Sequence, residues 1–174
     1  MGIQFETDYN METLTAMAKS LRKTVRRKRS RRVHIFAAVV LVLGLLTILA
    51  TTAGGEPPGA SGVVTLLAML VVILVSLFED KLNAWFARKR LLPGTEHAAA
   101  TFEEDGYVSA TSMSESKFSY AQIVAVAETA RYFVFALSSH HTQAYDKRTI
   151  RGGSVEDFRA FIAEKTGKLV ENIK

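Results

Sequence analysis

Two long segments without charged residues dominate the first half of the chain. Residues 33–55 contain no Asp, Glu, Lys or Arg, and residues 57–78 contain none either. About 20 apolar residues in a helix span the roughly 30 Å hydrocarbon core of a bilayer. Surface helices of soluble proteins carry a polar stripe, which both segments lack. The sequence therefore predicts transmembrane helices over 33–53 and 62–80, rather than two buried helices of a soluble protein.

The segment between the spans, residues 54–61, predicts a tight extracytoplasmic hairpin loop because it is rich in glycine and proline. It carries no Lys or Arg, whereas nine basic residues precede the first span and four follow the second. Basic residues concentrate in the cytoplasmic flanks of membrane helices, so we expect both termini to lie in the cytoplasm. A cleavable signal peptide is disfavoured because the basic region before the first apolar segment, 32 residues, is too long.

Residues 1–32 predict a short strand followed by a basic amphipathic helix. The residues from Ile3 to Glu6 alternate between apolar and polar side chains, and Thr7 or Asp8 is expected to cap the helix. Eight basic residues cluster just before the first span. They are Arg22, Lys23, Arg26, Arg27, Lys28, Arg29, Arg31 and Arg32.

Three interpretations of this basic cluster compete. We favour a role in setting the membrane topology together with contact with anionic lipid headgroups, since each basic residue near such a surface contributes about 1 kcal/mol. A surface for a partner protein is the second interpretation. Nucleic-acid binding is disfavoured because neither interleaved aromatic residues nor a recognition motif accompanies the cluster.

Residues 81–94 predict a cytoplasmic exit helix and linker after the second span. Trp85 together with Arg88 is typical of an interfacial anchor at the membrane surface. Ordinary packing of the exit helix is the alternative interpretation of these two side chains.

Residues 95–174 predict a small cytoplasmic α+β domain. Short strand patterns follow one another over 97–146, with a hairpin turn at Asp105-Gly106. In the clearest strand, Phe133 and Phe135 share one face and are expected to be buried under a final helix.

That final helix is expected to begin after Ser154, with Asp157 completing a capping box. Strands followed by one helix indicate an antiparallel, pleckstrin-homology-like sheet closed by a single C-terminal helix. The predicted fold class is therefore a membrane α-helical hairpin plus an α+β domain.

Four short motifs follow one another along the C-terminal domain: F-x-E-D-G-Y, F-S-Y-x-x-I, an aromatic strand and G-x-x-x-x-F-R-x-F-I. Their residues are Phe102, Glu104, Asp105, Gly106 and Tyr107; Phe118, Ser119, Tyr120 and Ile123; Tyr132–Leu137; and Gly153, Phe158, Arg159, Phe161 and Ile162. Together with the opening Phe5-Glu6-Thr7-Asp8-Tyr9 and the two-span hairpin, this layout resembles the YcxB-like family of bacterial membrane proteins. The resemblance implies a domain similar to bacterial pleckstrin-homology modules, tethered to the inner membrane, and it implies no catalytic activity.

The residue patterns predict neither a catalytic site nor a metal or cofactor site. The chain has no cysteine, which excludes disulfides, thiolate metal ligands and thiol catalysis. His140 and His141 are adjacent, so on a strand they point to opposite faces and cannot readily chelate one metal. A basic loop that contains Lys147, Arg148 and Arg151 is a possible binding loop.

We therefore hypothesise a non-enzymatic integral membrane protein that presents a binding or interaction domain at the inner membrane. The expected partners are anionic lipid headgroups and either a protein partner or a second copy of the chain, and nucleic acid is not expected. The alternative is a small accessory subunit of a membrane transport or channel complex. Transport sites usually place ionisable residues at mid-membrane depth, and the predicted spans have none there.

Overall fold

The computed structural model describes residues 2–53 and 59–174, and these residues form five α-helices and eight β-strands. The first half contains β1 (Ile3–Asp8), α1 (Met11–Lys23), α2 (Arg27–Ala53), α3 (Ala60–Leu77) and α4 (Glu79–Lys89). The second half contains β2 (His97–Phe102), β3 (Tyr107–Thr111), β4 (Glu115–Phe118), β5 (Ala125–Glu128), β6 (Tyr132–Ala136), β7 (Thr142–Asp146), α5 (Val155–Thr166) and β8 (Val170–Asn172). Most of the predicted hairpin loop, residues 54–58, lies outside the described residues.

The helices α2 and α3 are 27 and 18 residues long, and both are long and apolar enough to cross a membrane. No residue of α2 is buried, and α3 buries only Gly62, so their apolar side chains face outwards. The two helices pack closely at Gly44, where an added methyl group would lie 2.8 Å from the sulfur atom of Met69. α2 begins at Arg27 rather than at the predicted residue 33, because Lys and Arg are good helix formers and continue the helix through the basic cluster.

The strands form two four-stranded sheets. In the first sheet, β1, β2, β3 and β4 are neighbours in that order and are all antiparallel. The second sheet has the order β7-β6-β5-β8, in which only β8 runs parallel to its neighbour. The predicted combination of antiparallel strands and a closing helix is confirmed, but it consists of two sheets rather than one. β8 was not predicted, because its three residues are too few to produce a strand pattern.

The strand β1 belongs to the same sheet as the strands that follow the two apolar helices. Its six residues pair in register with the six residues of β2. Gln4 also exchanges backbone hydrogen bonds of 2.9 and 3.0 Å with Arg151, in the loop after β7. The domain therefore includes β1 in addition to the predicted residues 95–174, and the helical hairpin is inserted into it.

The N-cap of α1 differs from the prediction. Thr7 and Asp8 lie within β1, because backbone pairing with β2 continues the strand through both residues. Asn10 caps the helix instead, and its side-chain oxygen accepts hydrogen bonds from the backbone N–H groups of Glu12 (2.9 Å) and Thr13 (3.0 Å). The expected cap at Thr7 or Asp8 is therefore wrong by two or three positions.

An aromatic core fills the space between the two sheets. Four of its side chains come from the strands and are at most 1% exposed: Phe5, Phe102, Phe133 and Phe135. The ring of Phe158 in α5 has its centroid 4.7 Å from that of Phe5 and 5.0 Å from that of Phe133. The predicted burial of Phe133 and Phe135 under the final helix is confirmed.

α5 begins where the sequence predicts. The hydroxyl of Ser154 accepts a 3.0 Å hydrogen bond from the N–H of Asp157, and the Asp157 carboxylate accepts a 3.0 Å hydrogen bond from the N–H of Ser154. This reciprocal pair is the predicted capping box.

The helix α1 covers the other face of the second sheet. Thr13 is fully buried, and its hydroxyl lies 3.1 Å from the hydroxyl of Tyr132 on β6. Ala16 and Met17 pack against the buried cluster that contains Val134. Both faces of β6 are therefore covered, one by the aromatic core and the other by α1.

Phe5→Ala is expected to destabilise the full-length protein by about 3–5 kcal/mol, the usual range for a buried phenylalanine. Chemical denaturation in detergent micelles measures the loss. Gln4→Ala is the matched control, because Gln4 is exposed on the same strand and should change stability by no more than about 0.5 kcal/mol. Equal effects of the two substitutions would show that β1 does not contribute to the core.

Candidate functional site

The basic cluster lies where α1, α2 and α4 meet. α4 packs along α1, and Ala84 of α4 is fully buried. Arg22 of α1 donates two hydrogen bonds to the Asp80 carboxylate, of 2.7 Å from Nε and 2.6 Å from Nη2. His34 Nε2 of α2 lies 3.7 Å from Glu79 Oε2 of α4. The base of α2 and the start of α4 are therefore held side by side.

Arg22, a member of the predicted lipid-facing cluster, instead forms contacts within the protein. Its hydrogen bonds to Asp80 raise the pKa of its guanidinium group, and the opposing effect of burial is weaker. A second carboxylate, that of Glu79, lies 3.7 Å from Arg22 Nε. The charge of Arg22 is thus balanced by two acidic residues that join α1 to α4.

Helical spacing distributes the five cluster residues that lie in α2 over three faces of that helix. The face with Arg29 borders a cavity between α1, α2 and α4. The face with Arg27 and Arg31 borders a different cavity beside β8. Lys28 and Arg32, four residues apart, are exposed on a third face and line neither of these two cavities.

The first of these cavities, here named the basic cavity, has a volume of about 600 Å³. Its walls come from α1, α2, α4 and the hairpin between β6 and β7. Its charged lining residues are Arg22, Arg26, Arg29, Arg90 and Glu79. Its larger apolar lining residues are Leu14, Met17, Leu21, Val33 and Phe86. The basic cavity therefore combines an excess of positive charge with an apolar wall.

Arg26 is fixed in the wall of the basic cavity. Its Nε donates a 2.6 Å hydrogen bond to the Ser139 carbonyl, and its Nη2 lies 2.9 Å from His140 Nδ1. Within residues 2–53 and 59–174, the side chains of Arg29 and Arg90 form no hydrogen bond or ion pair. Arg90 and His140 were not predicted as site residues, since only tertiary packing brings them to the cavity that Arg29 lines.

Trp85, the predicted interfacial anchor, is 45% exposed on α4. The Lys89 ammonium lies 3.7 Å from the Trp85 ring centroid, and Phe86 packs edge-on against Trp85 at 4.9 Å. Arg88, the other predicted anchor residue, is exposed and borders a small cavity beside Asp8. The exposed rings of Trp85 and Phe86 on α4 can therefore contact a membrane or another protein.

Lys147 of the predicted binding loop lies inside the domain and is only 14% exposed. Its Nζ donates a 2.9 Å hydrogen bond to Glu128, and Arg159 of α5 donates two more, of 2.6 and 2.8 Å. The hydrogen bonds from Arg159 hold the pKa of Glu128 below its usual value against the effect of burial, and Lys147 adds to this. Lys147 thus belongs to a structural ion-pair network, and it also lines a groove beside the turn after β5.

Arg148 and Arg151 are the exposed members of that loop, at 65% and 69%. Arg148 pairs with Asp146 at 3.0 Å, and Arg151 pairs with Glu6 at 3.5 Å. The hydroxyl of Thr149 accepts a 2.9 Å hydrogen bond from the Glu6 N–H and donates one of 2.7 Å to the Glu6 carbonyl. The loop therefore mainly connects the second sheet to β1.

A larger groove, of about 740 Å³, lies between α1, the turn after β5 and the C-terminal end of the chain. Among the described residues, Arg131 is the only arginine that lines it, and Arg131 pairs with Asp146 at 2.8 Å and also with Glu12. The groove thus has no unpaired arginine among the described residues, although Lys19 and Lys81 also line it.

The buried tyrosines have a structural role. The hydroxyls of Tyr107 and Tyr145 each donate a 2.7 Å hydrogen bond to the side-chain oxygen of Gln143. Burial raises the pKa of both phenols well above the usual value, so both stay protonated near neutral pH. In the part of the chain that the structure describes, no group of three or more His, Asp or Glu side chains is placed to hold a metal ion.

Residues 102–162 match the family model described as YcxB-like protein. The match runs from the end of β2 into α5, and it confirms the predicted family resemblance over this segment. Neither the comparison with curated proteins nor the comparison with solved structures finds a match. Several motif residues are buried in the aromatic core, and Arg159 donates a hydrogen bond to Glu128. The motif residues of the matched segment therefore mainly stabilise the fold. Most residues of the basic cavity lie outside it.

Glu128→Gln is expected to destabilise the protein by about 3 kcal/mol at pH 7, because it leaves Lys147 and Arg159 without a buried anion. Since folding lowers the pKa of Glu128, its ionised form contributes stability above the unfolded value of about 4.3. That contribution is lost as the pH falls below this value. Unfolding free energies measured from pH 7 to pH 3 should therefore fall less steeply for Glu128→Gln than for the parent.

Glu164→Gln is the matched control for this measurement. Glu164 is exposed on α5 and has no ion-pair partner among the described residues. Its substitution should change stability by no more than about 0.5 kcal/mol at either pH. If Glu128→Gln behaves like this control, the ion-pair network around Glu128 does not stabilise the fold.

Proposed function

We propose, from the match of residues 102–162 to the YcxB-like family and from the two apolar helices inserted into the same domain, that the chain is a non-enzymatic integral protein of the bacterial inner membrane. In this proposal α2 and α3 cross the bilayer. The two sheets, with α1, α4 and α5, form a binding module at the cytoplasmic face.

The exposure of α2 is the observation that carries the proposal. Its most apolar window has a mean hydropathy of 2.7, yet none of that window is buried. Contiguous apolar surface of this extent is rare on soluble monomers, and a helix satisfies its backbone polar groups internally, as a lipid environment requires.

The pairing of β1 with β2 supports the proposed topology. β1 precedes the first apolar helix and β2 follows the second, so both flanks have to lie on the same side of any membrane that α2 and α3 cross. The basic residues of both flanks then favour the cytoplasmic side.

The strand order supports a pleckstrin-homology-like module. The antiparallel strands β1–β4 and β5–β7 precede the closing helix α5, which agrees with the antiparallel sheet and single C-terminal helix expected of such a module. The helical hairpin is then an insertion after the first strand, and β8 is an addition at the end. The proposed task of the module is to bind anionic lipid and either a protein partner or a second copy of the chain.

Cysteine labelling tests the topology, because the chain has no native cysteine. Ser61→Cys lies at the start of α3 and Ser114→Cys lies between β3 and β4, and both positions are exposed. A membrane-impermeant thiol reagent applied to intact cells should modify the first and spare the second.

Permeabilised cells are the control, since both cysteines should react there. Labelling of Ser114→Cys, but not of Ser61→Cys, in intact cells would reverse the proposed orientation. Release of the parent chain from membranes by alkaline carbonate would contradict integral insertion.

A further inference from the structure

We propose that the basic cavity binds the phosphate group of one anionic phospholipid headgroup, with Arg29 and Arg90 as its direct contacts. The inference rests on the proposed function, because the cavity meets lipid when α2 and α3 cross the membrane. It differs from a general attraction of basic residues to anionic membranes, since it assigns the contact to one cavity and two side chains.

The charges of the basic cavity suit an oxyanion. Four arginines line it against one glutamate. Arg22 is paired with two acidic residues, and Arg26 is held by the β6–β7 hairpin. Arg29 and Arg90 are exposed and have no partner within the described parts of the chain. A guanidinium group can donate two parallel N–H bonds to phosphate oxygens, and such charge-assisted pairs are among the stronger hydrogen bonds.

The position of the cavity favours a lipid over a soluble phosphate. Val33, the first residue of the apolar segment of α2, lines it together with Phe86 of α4. These two side chains are 54% and 50% exposed. Arg29 lies four residues before Val33, about 6 Å along the helix axis. Val33 and Phe86 therefore offer apolar contacts next to a phosphate bound at Arg29. The glycerol and acyl groups of a phospholipid can make these contacts, and inorganic phosphate cannot.

The basic cluster supplies its own matched control. Lys28 and Arg32 lie on the same two turns of α2 as Arg29, and they are exposed and do not line the basic cavity. Replacing both by Gln removes the same charge as replacing Arg29 and Arg90. A diffuse polybasic surface responds equally to either double substitution, because screened attraction depends on charge and distance from the membrane. Binding in the basic cavity should weaken only when Arg29 and Arg90 are replaced.

Native mass spectrometry of the full-length protein in detergent tests the proposal. The protein is titrated with phosphatidylglycerol, with phosphatidylcholine, and with the soluble probes glycerol 3-phosphate and inorganic phosphate. The parent should retain one phosphatidylglycerol in preference to phosphatidylcholine. R29Q/R90Q should bind phosphatidylglycerol at least about tenfold more weakly, whereas K28Q/R32Q should stay within about twofold of the parent.

Three results would overturn the proposal. Equal weakening in the two double variants would indicate a diffuse surface, and no weakening in R29Q/R90Q would leave the cavity without a role in binding. Binding of glycerol 3-phosphate or inorganic phosphate as tightly as phosphatidylglycerol would assign the cavity to a soluble phosphate. Melting temperatures of both variants should match the parent, and the single substitutions Arg29→Gln and Arg90→Gln provide the test if R29Q/R90Q does not fold.

Failure of this inference is distinct from failure of the proposed function. If the unsubstituted protein stays in alkali-washed membranes while R29Q/R90Q binds phosphatidylglycerol normally, the proposed phosphate site in the basic cavity is wrong but the membrane function stands. If alkali releases the parent, the membrane function itself is lost.

Discussion

The pairing of β1 with β2 is the constraint on which the rest of the structure depends. These two strands are neighbours in a sheet, but two apolar helices separate them in sequence. The helices therefore have to leave the domain and return to it, and they do so as an antiparallel pair in contact at Gly44 and Met69. The burial of Phe5 in the aromatic core links this pairing to the stability of the domain.

A second connection lies at the base of the helical hairpin, where Arg22 and Asp80 join α1 to α4. α1 also packs on β6 through Thr13 and Tyr132, so the helices are joined to the sheets by side-chain contacts as well as by the chain itself. This packing decides which basic residues are available to a ligand. Arg22 and Arg26 are held by hydrogen bonds, while Arg29 and Arg90 line the basic cavity without a partner among the described residues.

Local patterns were sufficient to predict much of the fold. The apolar segments, the alternation of β6 and the capping box of α5 depend on residues close in sequence. Helices cover most of both apolar segments, although α2 begins six residues before its segment, and the alternation and the capping box are confirmed. The partner of β1 was not predictable in this way, because a six-residue strand carries no information about which later strand it joins. The site depended on the same long-range packing. Charge alone predicts Lys147 as a binding residue, and only the fold shows that Lys147 pairs with Glu128.

During synthesis β1 leaves the ribosome before either apolar helix, and the paired residues Asp8 and His97 are 89 positions apart. At 5–20 residues per second, β1 waits roughly 5–20 s for its partner strand. In the proposed membrane arrangement, a first helix inserted with the wrong orientation would leave β1 across the bilayer from β2. β2 would then keep an open edge, which invites aggregation and proteolysis. In the proposed arrangement β1 can pair with β2 only when both flanks of the hairpin lie on the same side of the membrane, so completion of the sheet would require correct insertion of both helices.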